Sequence, residues 1–299
     1  MSNILFTGVM SALVTPFGPD GKVKKTAVEK MIDWQLSEGL KGFYICGSTG
    51  EGPALKPSTR MEMLETAAAA AKGRGVVIAH IGAPNIWDAM ELTKHATKTR
   101  VSAISSLAPT YSYKYSEDEL FDYYKRIADS TDLPVLVYAT AAMGVPNFPR
   151  LMAKLITIPN VVGVKFTIRD YFELRKTKEV NGGDINLING PDETLLCGLV
   201  MGADGGIGST YNVMPGFYAK LYAAFAAGDL KTAQEYQYRA NRVTEALIRY
   251  GKYGSIRSTK AALELMGFDA GGTVYPAREM ARDERAAMKK ELETLGINF

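Results

Sequence analysis

The run Val161-Val162-Gly163-Val164-Lys165-Phe166-Thr167 ends an otherwise apolar segment on an amine. Strand alternation puts Val161, Gly163, Lys165 and Thr167 on one face, and a strand covered on both sides gives a lysine little route to water. Burying an ammonium is costly unless it loses its proton or finds a partner. A lysine of ordinary pKa, near 10.4, is neutral only about once in 2,500 at pH 7, a handicap of roughly 4.6 kcal/mol. Desolvation removes most of that handicap and leaves a nucleophile able to form an imine with a ketone. The plainer alternative is a lysine that snorkels to solvent or pairs with a carboxylate.

Tyr138 ends the preceding apolar run, Pro134-Val135-Leu136-Val137-Tyr138. Neighbouring parallel strands lie about 5 Å apart, so the phenol falls beside the amine, where it can carry a proton to and from a substrate hydroxyl. By itself such a tyrosine reads as an amphipathic core residue. The loop Gly47-Ser48-Thr49-Gly50-Glu51-Gly52 can turn backbone N–H groups and the hydroxyls of Ser48 and Thr49 toward a carboxylate. A tight strand-to-helix turn is the alternative, and the Walker pattern GxxxxGK[ST] is absent. Gly190-Pro191-Asp192-Glu193 sets two acids side by side, either as a helix start or as hydrogen-bonding groups for a polyhydroxylated substrate. The glycines of 202–208 precede and occupy a strand, so they do not form a dinucleotide-binding turn.

These residues need elements to hold them. Short β-branched or aromatic runs lie near 9–17, 42–47, 75–82, 101–109, 134–140, 161–167, 185–190 and 205–210, each followed by an amphipathic helical pattern. Eight such units predict an α/β fold, a closed (β/α)8 TIM barrel, with an open doubly wound sheet as the alternative. Thr26 with Glu29 predicts a capping box opening the first helix, and Gly39 ends it. From Pro215 onward the pattern is only helical. The expected organisation is a catalytic barrel over 1–214 and, over 215–299, the last barrel helix with an appended bundle. In such barrels the site lies at the C-terminal ends of the strands, where Tyr138 and Lys165 fall.

Composition narrows the partners. The 35 Lys and Arg against 32 Asp and Glu leave a formal charge of +3 without a basic run, which sets aside nucleic acid and anionic membrane surfaces. No apolar stretch reaches membrane-span length and the start lacks a signal peptide, so a cytoplasmic protein is expected. Cys46 and Cys197 both sit in apolar runs and read as core thiols in a reducing compartment. His80 and His95 make no His-rich metal site, although a carboxylate-only Mg²⁺ site stays open.

Together these residues resemble the family of pyruvate-dependent class I aldolases typified by dihydrodipicolinate synthase and N-acetylneuraminate lyase. The shared features are the Gly-Ser/Thr-Thr-Gly-Glu loop at 47–51, the strand-end Tyr138 and the Gly-x-Lys at Lys165. Lyase-like segments are Gly163-Val164-Lys165-Phe166-Thr167, Asp192-Glu193 and Gly208-Ser209-Thr210-Tyr211-Asn212. After Tyr138 the chain reads Ala139-Thr140-Ala141-Ala142-Met143-Gly144, without the arginine typical of the synthase branch and without the lyases' Tyr-x-Ile-Pro-x-x-Thr-Gly.

The resemblance implies reversible cleavage of N-acetylneuraminate to pyruvate and N-acetylmannosamine, with Lys165 and Tyr138 catalytic and Ser48 and Thr49 on the carboxylate. It also implies Thr167, Gly190, Asp192, Glu193 and Ser209 along the sugar chain, Tyr111 supporting Tyr138, a homotetramer and no cofactor. The alternatives are another 2-keto-3-deoxy sugar acid, a synthase-like reaction, a pyridoxal phosphate enzyme on the same lysine, and a sugar-acid binding protein without turnover.

Overall fold

The computed structural model describes residues 2–109, 114–252 and 254–299. Eight strands, β1 (Gly8–Ala12), β2 (Gly42–Ile45), β3 (Val76–His80), β4 (Ala103–Ser106), β5 (Val135–Ala139), β6 (Val161–Phe166), β7 (Asn186–Asn189) and β8 (Gly205–Gly208), pair in parallel in chain order. β8 closes on β1, so the expected TIM barrel is borne out. Between the strands run α1 (Lys25–Ser37), α2 (Pro57–Ala71), α3 (Ile86–Thr99), α4 (Glu117–Ala128), α5 (Phe148–Leu155), α6 (Tyr171–Lys178) and α7 (Leu195–Val200). α8 (Pro215–Ala226) follows β8, and α9 (Leu230–Gly251), α10 (Ile256–Leu265) and α11 (Arg282–Thr294) extend beyond it.

Alternation along the strands divides the side chains as a closed barrel requires. Met10, Tyr44, Ile78, Leu136, Ile188 and Ile207 fill the interior, while Val77, Ile104, Val137 and Leu187 pack under the helices. In β6 the alternation slips. The pairing with β5 runs Val135↔Val161 and then Leu136↔Gly163, leaving Val162 as an extra residue. Such a bulge advances the pattern by one, so Val162 packs with the interior set and Val161 with the helix-facing set. The expected grouping of Val161 with Lys165 is therefore corrected.

Other expectations change in detail. β1 is shorter than the apolar run 9–17, because loops take over the pairing beyond Ala12: Val14 N–H donates to Asn212 Oδ1 at 3.2 Å and Thr15 Oγ1 to the Gly50 carbonyl at 2.6 Å. α1 begins at Lys25 with no side-chain cap, so Thr26 lies inside its first turn and makes no capping box. Its start is fixed by the chain before it, through the Phe17↔Val23 bridge and the Lys24 N–H to Pro16 carbonyl bond. A capping box does open α4, between Ser116 and Glu119. Cys46 is buried as expected, but Cys197 is exposed. α7 turns Leu195 and Leu199 inward, and helical periodicity carries Cys197 to the outside.

The C-terminal helices share a core with the barrel: Val243, Leu247 and Leu292 cluster with Val9, Leu195 and Tyr211. The Tyr211 and Tyr218 rings stack at 3.8 Å between centroids across that boundary. Among the described residues no helix is long and apolar enough to cross a membrane.

Candidate active site

Register carries the two central residues together. Tyr138 and Lys165 are direct partners in the β5–β6 ladder, one residue before each strand ends. Lys165 is 5% exposed, and its Nζ lies 4.1 Å from the Tyr138 ring centroid and 4.7 Å from that of Tyr44. Among the described residues no carboxylate pairs with it. An amine between two aromatic faces is held by ring quadrupoles rather than by a counter-ion.

The phenol of Tyr138 is pushed up by burial, but the charge of Lys165 and hydrogen bonding from Ser48 and Lys165 outweigh that and hold it below its ordinary value. Such a phenol parts with its proton more readily than an ordinary tyrosine, so at a given pH more of it is phenolate, the form that can accept a proton. The Thr167 hydroxyl faces the same phenol but, among the described residues, is buried without a hydrogen bond of normal geometry. Gly190 is what makes room for it: a Cβ there would stand 2.0 Å from Thr167 Oγ1.

The loop after β2 is shaped by two left-handed residues, Cys46 at φ 57° and Glu51 at φ 56°. Glu51 N–H donates to the Ser48 carbonyl and Gly52 N–H to that of Gly47, each at 3.0 Å. Gly52 is required because a Cβ would meet the Cys46 carbonyl oxygen at 1.8 Å. Ser48 is exposed at the mouth while Thr49 is buried and hydrogen-bonds Ser209 Oγ. Among the described residues neither the Ser48 nor the Thr49 N–H has a protein acceptor. Two uncommitted backbone donors in one turn are groups able to receive an anion.

After β7 the two acids do different things. Asp192 is buried and its carboxylate accepts from Ser209 N–H at 3.1 Å, Thr210 N–H at 2.6 Å and Thr210 Oγ1 at 2.7 Å. Burial nonetheless pushes its carboxyl above the usual range. Asp192 thereby fixes Ser209, whose hydroxyl meets that of Thr49. Glu193 is half-buried and pairs with Arg169 Nη2 at 3.0 Å. Tyr111 lies outside the described residues. Among the described residues no cluster of His, Cys, Asp and Glu suits a metal ion.

Sequence reasoning missed Tyr44 and His80. The Tyr44 hydroxyl donates to Ser105 Oγ at 2.9 Å, and the Tyr44, His80 and Tyr138 rings meet at 5.9–6.0 Å. His80 closes β3 as Lys165 nearly closes β6, and that strand-end position was the available clue. Its Nδ1–H donates to the Cys46 carbonyl at 3.1 Å and its Nε2 accepts from Leu107 N–H at 3.2 Å. Burial, and then the neighbouring Arg60 guanidinium, hold its pKa well below 6.5, so the ring adds no charge beside the lysine.

A closed barrel carrying at its C-terminal mouth a buried lysine beside a tyrosine, with no carboxylate partner among the described residues, is the arrangement expected of an imine-forming aldolase. The profile of the dihydrodipicolinate synthetase family matches residues 5–295, and the chain belongs to that family. It is a lyase of the class I aldolase kind. N-acetylneuraminate lyase of Rhizobium meliloti is 36% identical over 287 residues, covering 95% of this chain and 93% of that protein. Among solved structures, Proteus mirabilis N-acetylneuraminate lyase superposes with a TM-score of 0.91 at 27% identity, covering 98% of this chain and 99% of the other. The Mycoplasma synoviae N-acetylneuraminate lyase gives 0.86 at 34% identity, covering 97% and 96%.

Proposed function

We propose that the protein reversibly cleaves N-acetylneuraminate to pyruvate and N-acetylmannosamine through a Schiff base on Lys165. The observation that carries this reading is the Lys165 amine beside Tyr138 with no carboxylate partner among the described residues, and beside the same phenol the Ser48 hydroxyl, from a turn whose Ser48 and Thr49 N–H groups have no protein acceptor among those residues.

In this scheme Ser48 and Thr49 hold the carboxylate of the open-chain sugar acid and aim its C2 ketone at Lys165. The neutral amine adds to C2, water leaves, and the iminium accepts the electron pair of the C3–C4 bond as it breaks. Tyr138 takes the C4 hydroxyl proton in that step, releasing the aldehyde N-acetylmannosamine. The remaining enamine is protonated at C3, and water adds to the iminium carbon to release pyruvate and restore the amine. Thr167, Gly190, Ser209 and Glu193 line the sugar chain, with Asp192 setting Ser209. The lysine itself is the electron sink, so no cofactor takes part.

One observation favours a second substrate, another 2-keto-3-deoxy sugar acid. Residues 141–143 form a short 3-10 turn, and Gly144 at φ 66° carries the Lys114 side chain against it. This turn follows the strand that carries Tyr138. The test is coupled detection of pyruvate released from N-acetylneuraminate and from other 2-keto-3-deoxy sugar acids. Release from N-acetylneuraminate supports the first reading, and release only from another acid moves the assignment to that acid.

We further take the protein as a cytoplasmic homotetramer with the catalytic unit over 1–214. Its free thiols fit a reducing compartment. Trp87 on α3, Phe172 on α6 and Val200 on α7 are 77%, 68% and 59% exposed, apolar surface of the kind a second copy covers. Light scattering of the purified chain tests the assembly.

A further inference from the structure

A second buried lysine touches the site from the C-terminal extension. Lys260 on α10 is 1% exposed, and its Nζ lies 2.8 Å from Glu51 Oε1. The same ammonium donates to the Gly272 carbonyl at 2.6 Å and stands 4.0 Å from the Phe17 ring centroid. The other Glu51 oxygen accepts from Val274 N–H at 2.7 Å. Glu51 is the left-handed residue that closes the Ser48–Thr49 turn, so both of its carboxylate oxygens are anchored outside the barrel while its backbone sets that turn.

We infer that Lys260 is a positioning residue for the substrate-carboxylate loop: by fixing Glu51 it holds the turn that presents Ser48 and Thr49. This rests on the reading that those two residues bind a carboxylate. A left-handed, non-glycine residue is a conformation the surroundings must impose, and a buried ion pair with further hydrogen bonds at both ends supplies that constraint. The loop shape would thus depend on the helical extension as well as on its own glycines.

The test compares wild type with Lys260→Met and Glu51→Gln by borohydride trapping of pyruvate and by amide exchange. In Lys260→Met the pyruvate concentration for half-maximal trapping should rise about tenfold or more, with the limiting trapping rate within about threefold of wild type. Exchange at the Glu51 and Gly52 amides should quicken about tenfold, with β6 still protected. Glu51→Gln should behave alike and carries the test if Lys260→Met does not fold, and the double variant should be no worse than either single one. A lower melting temperature with unchanged half-saturation and unchanged loop exchange overturns the inference. If wild type traps no pyruvate, the aldolase reading fails instead. The clamp is then judged by exchange alone, and unchanged exchange at Glu51 and Gly52 overturns it.

Discussion

Lys165 and Lys260 are both buried and differently surrounded. Lys165 faces the rings of Tyr44 and Tyr138, whereas Lys260 meets the Glu51 carboxylate and the Gly272 carbonyl. Burial lowers the Lys260 ammonium and Glu51 opposes that, the balance of a structural ion pair. Removing one partner of such a pair is strongly destabilising. An amine held by two aromatic faces and a phenol gives up no ion pair when it reacts. Burial alone therefore does not separate the two; the proposed reactive lysine differs from the structural one in having no counter-ion among the described residues and a phenol beside it.

The comparison breaks most directly at Lys165. Lys165→Ala should lower turnover by about 10⁴-fold or more with the melting temperature unchanged or raised, since no ion pair is lost; coupled pyruvate release and a thermal melt read both. Retained turnover would return Lys165 to the core.

Tyr138→Phe should lower kcat by about 10²–10⁴ while pyruvate trapping on Lys165 persists. In wild type the rise of kcat with pH should level off below pH 10, because Tyr138 is held below its ordinary value. That limb should vanish in the variant, and its persistence would assign the base elsewhere.

His80 sharpens the electrostatic side. Its folded pKa lies well below 6.5, so as pH falls through 6.5 the unfolded ring takes a proton that the folded ring refuses. Unfolding free energy should then drop by up to about 1.4 kcal/mol per pH unit. His80→Asn keeps the donor toward Cys46 and should show a shallower slope in urea titrations between pH 7.5 and 5. Equal slopes would mean the ring titrates normally.

The smallest effect is expected at the rim. Glu193→Ala should raise KM for the sugar acid about tenfold, the worth of one charged hydrogen bond, without moving half-saturation by pyruvate. Equal losses on both would remove it from sugar recognition.

Much of this was legible in the sequence because it is local. Apolar runs of strand length alternating with helical periodicity gave the barrel, and the strand ends at Tyr138 and Lys165 gave the pair that the ladder aligns. What escaped depends on distant chain. The bulge at Val162 is a property of the β5–β6 pairing. Cys197 faces outward because the short α7 buries only Leu195, Gly198 and Leu199. The start of α1 is set by Phe17 and Val23, not by Thr26. Tyr44 and His80 enter the lysine's surroundings only when β2 and β3 close around the barrel, and nothing near Glu51 in sequence announces Lys260.

The central claim is an imine on Lys165 formed during sugar-acid cleavage. The most direct measurement is peptide mass spectrometry after incubating the protein with N-acetylneuraminate and borohydride. A reduced pyruvyl adduct on the peptide carrying Lys165, absent in Lys165→Ala, is the predicted result. Adducts on other lysines, or none with either the sugar acid or pyruvate, would contradict it.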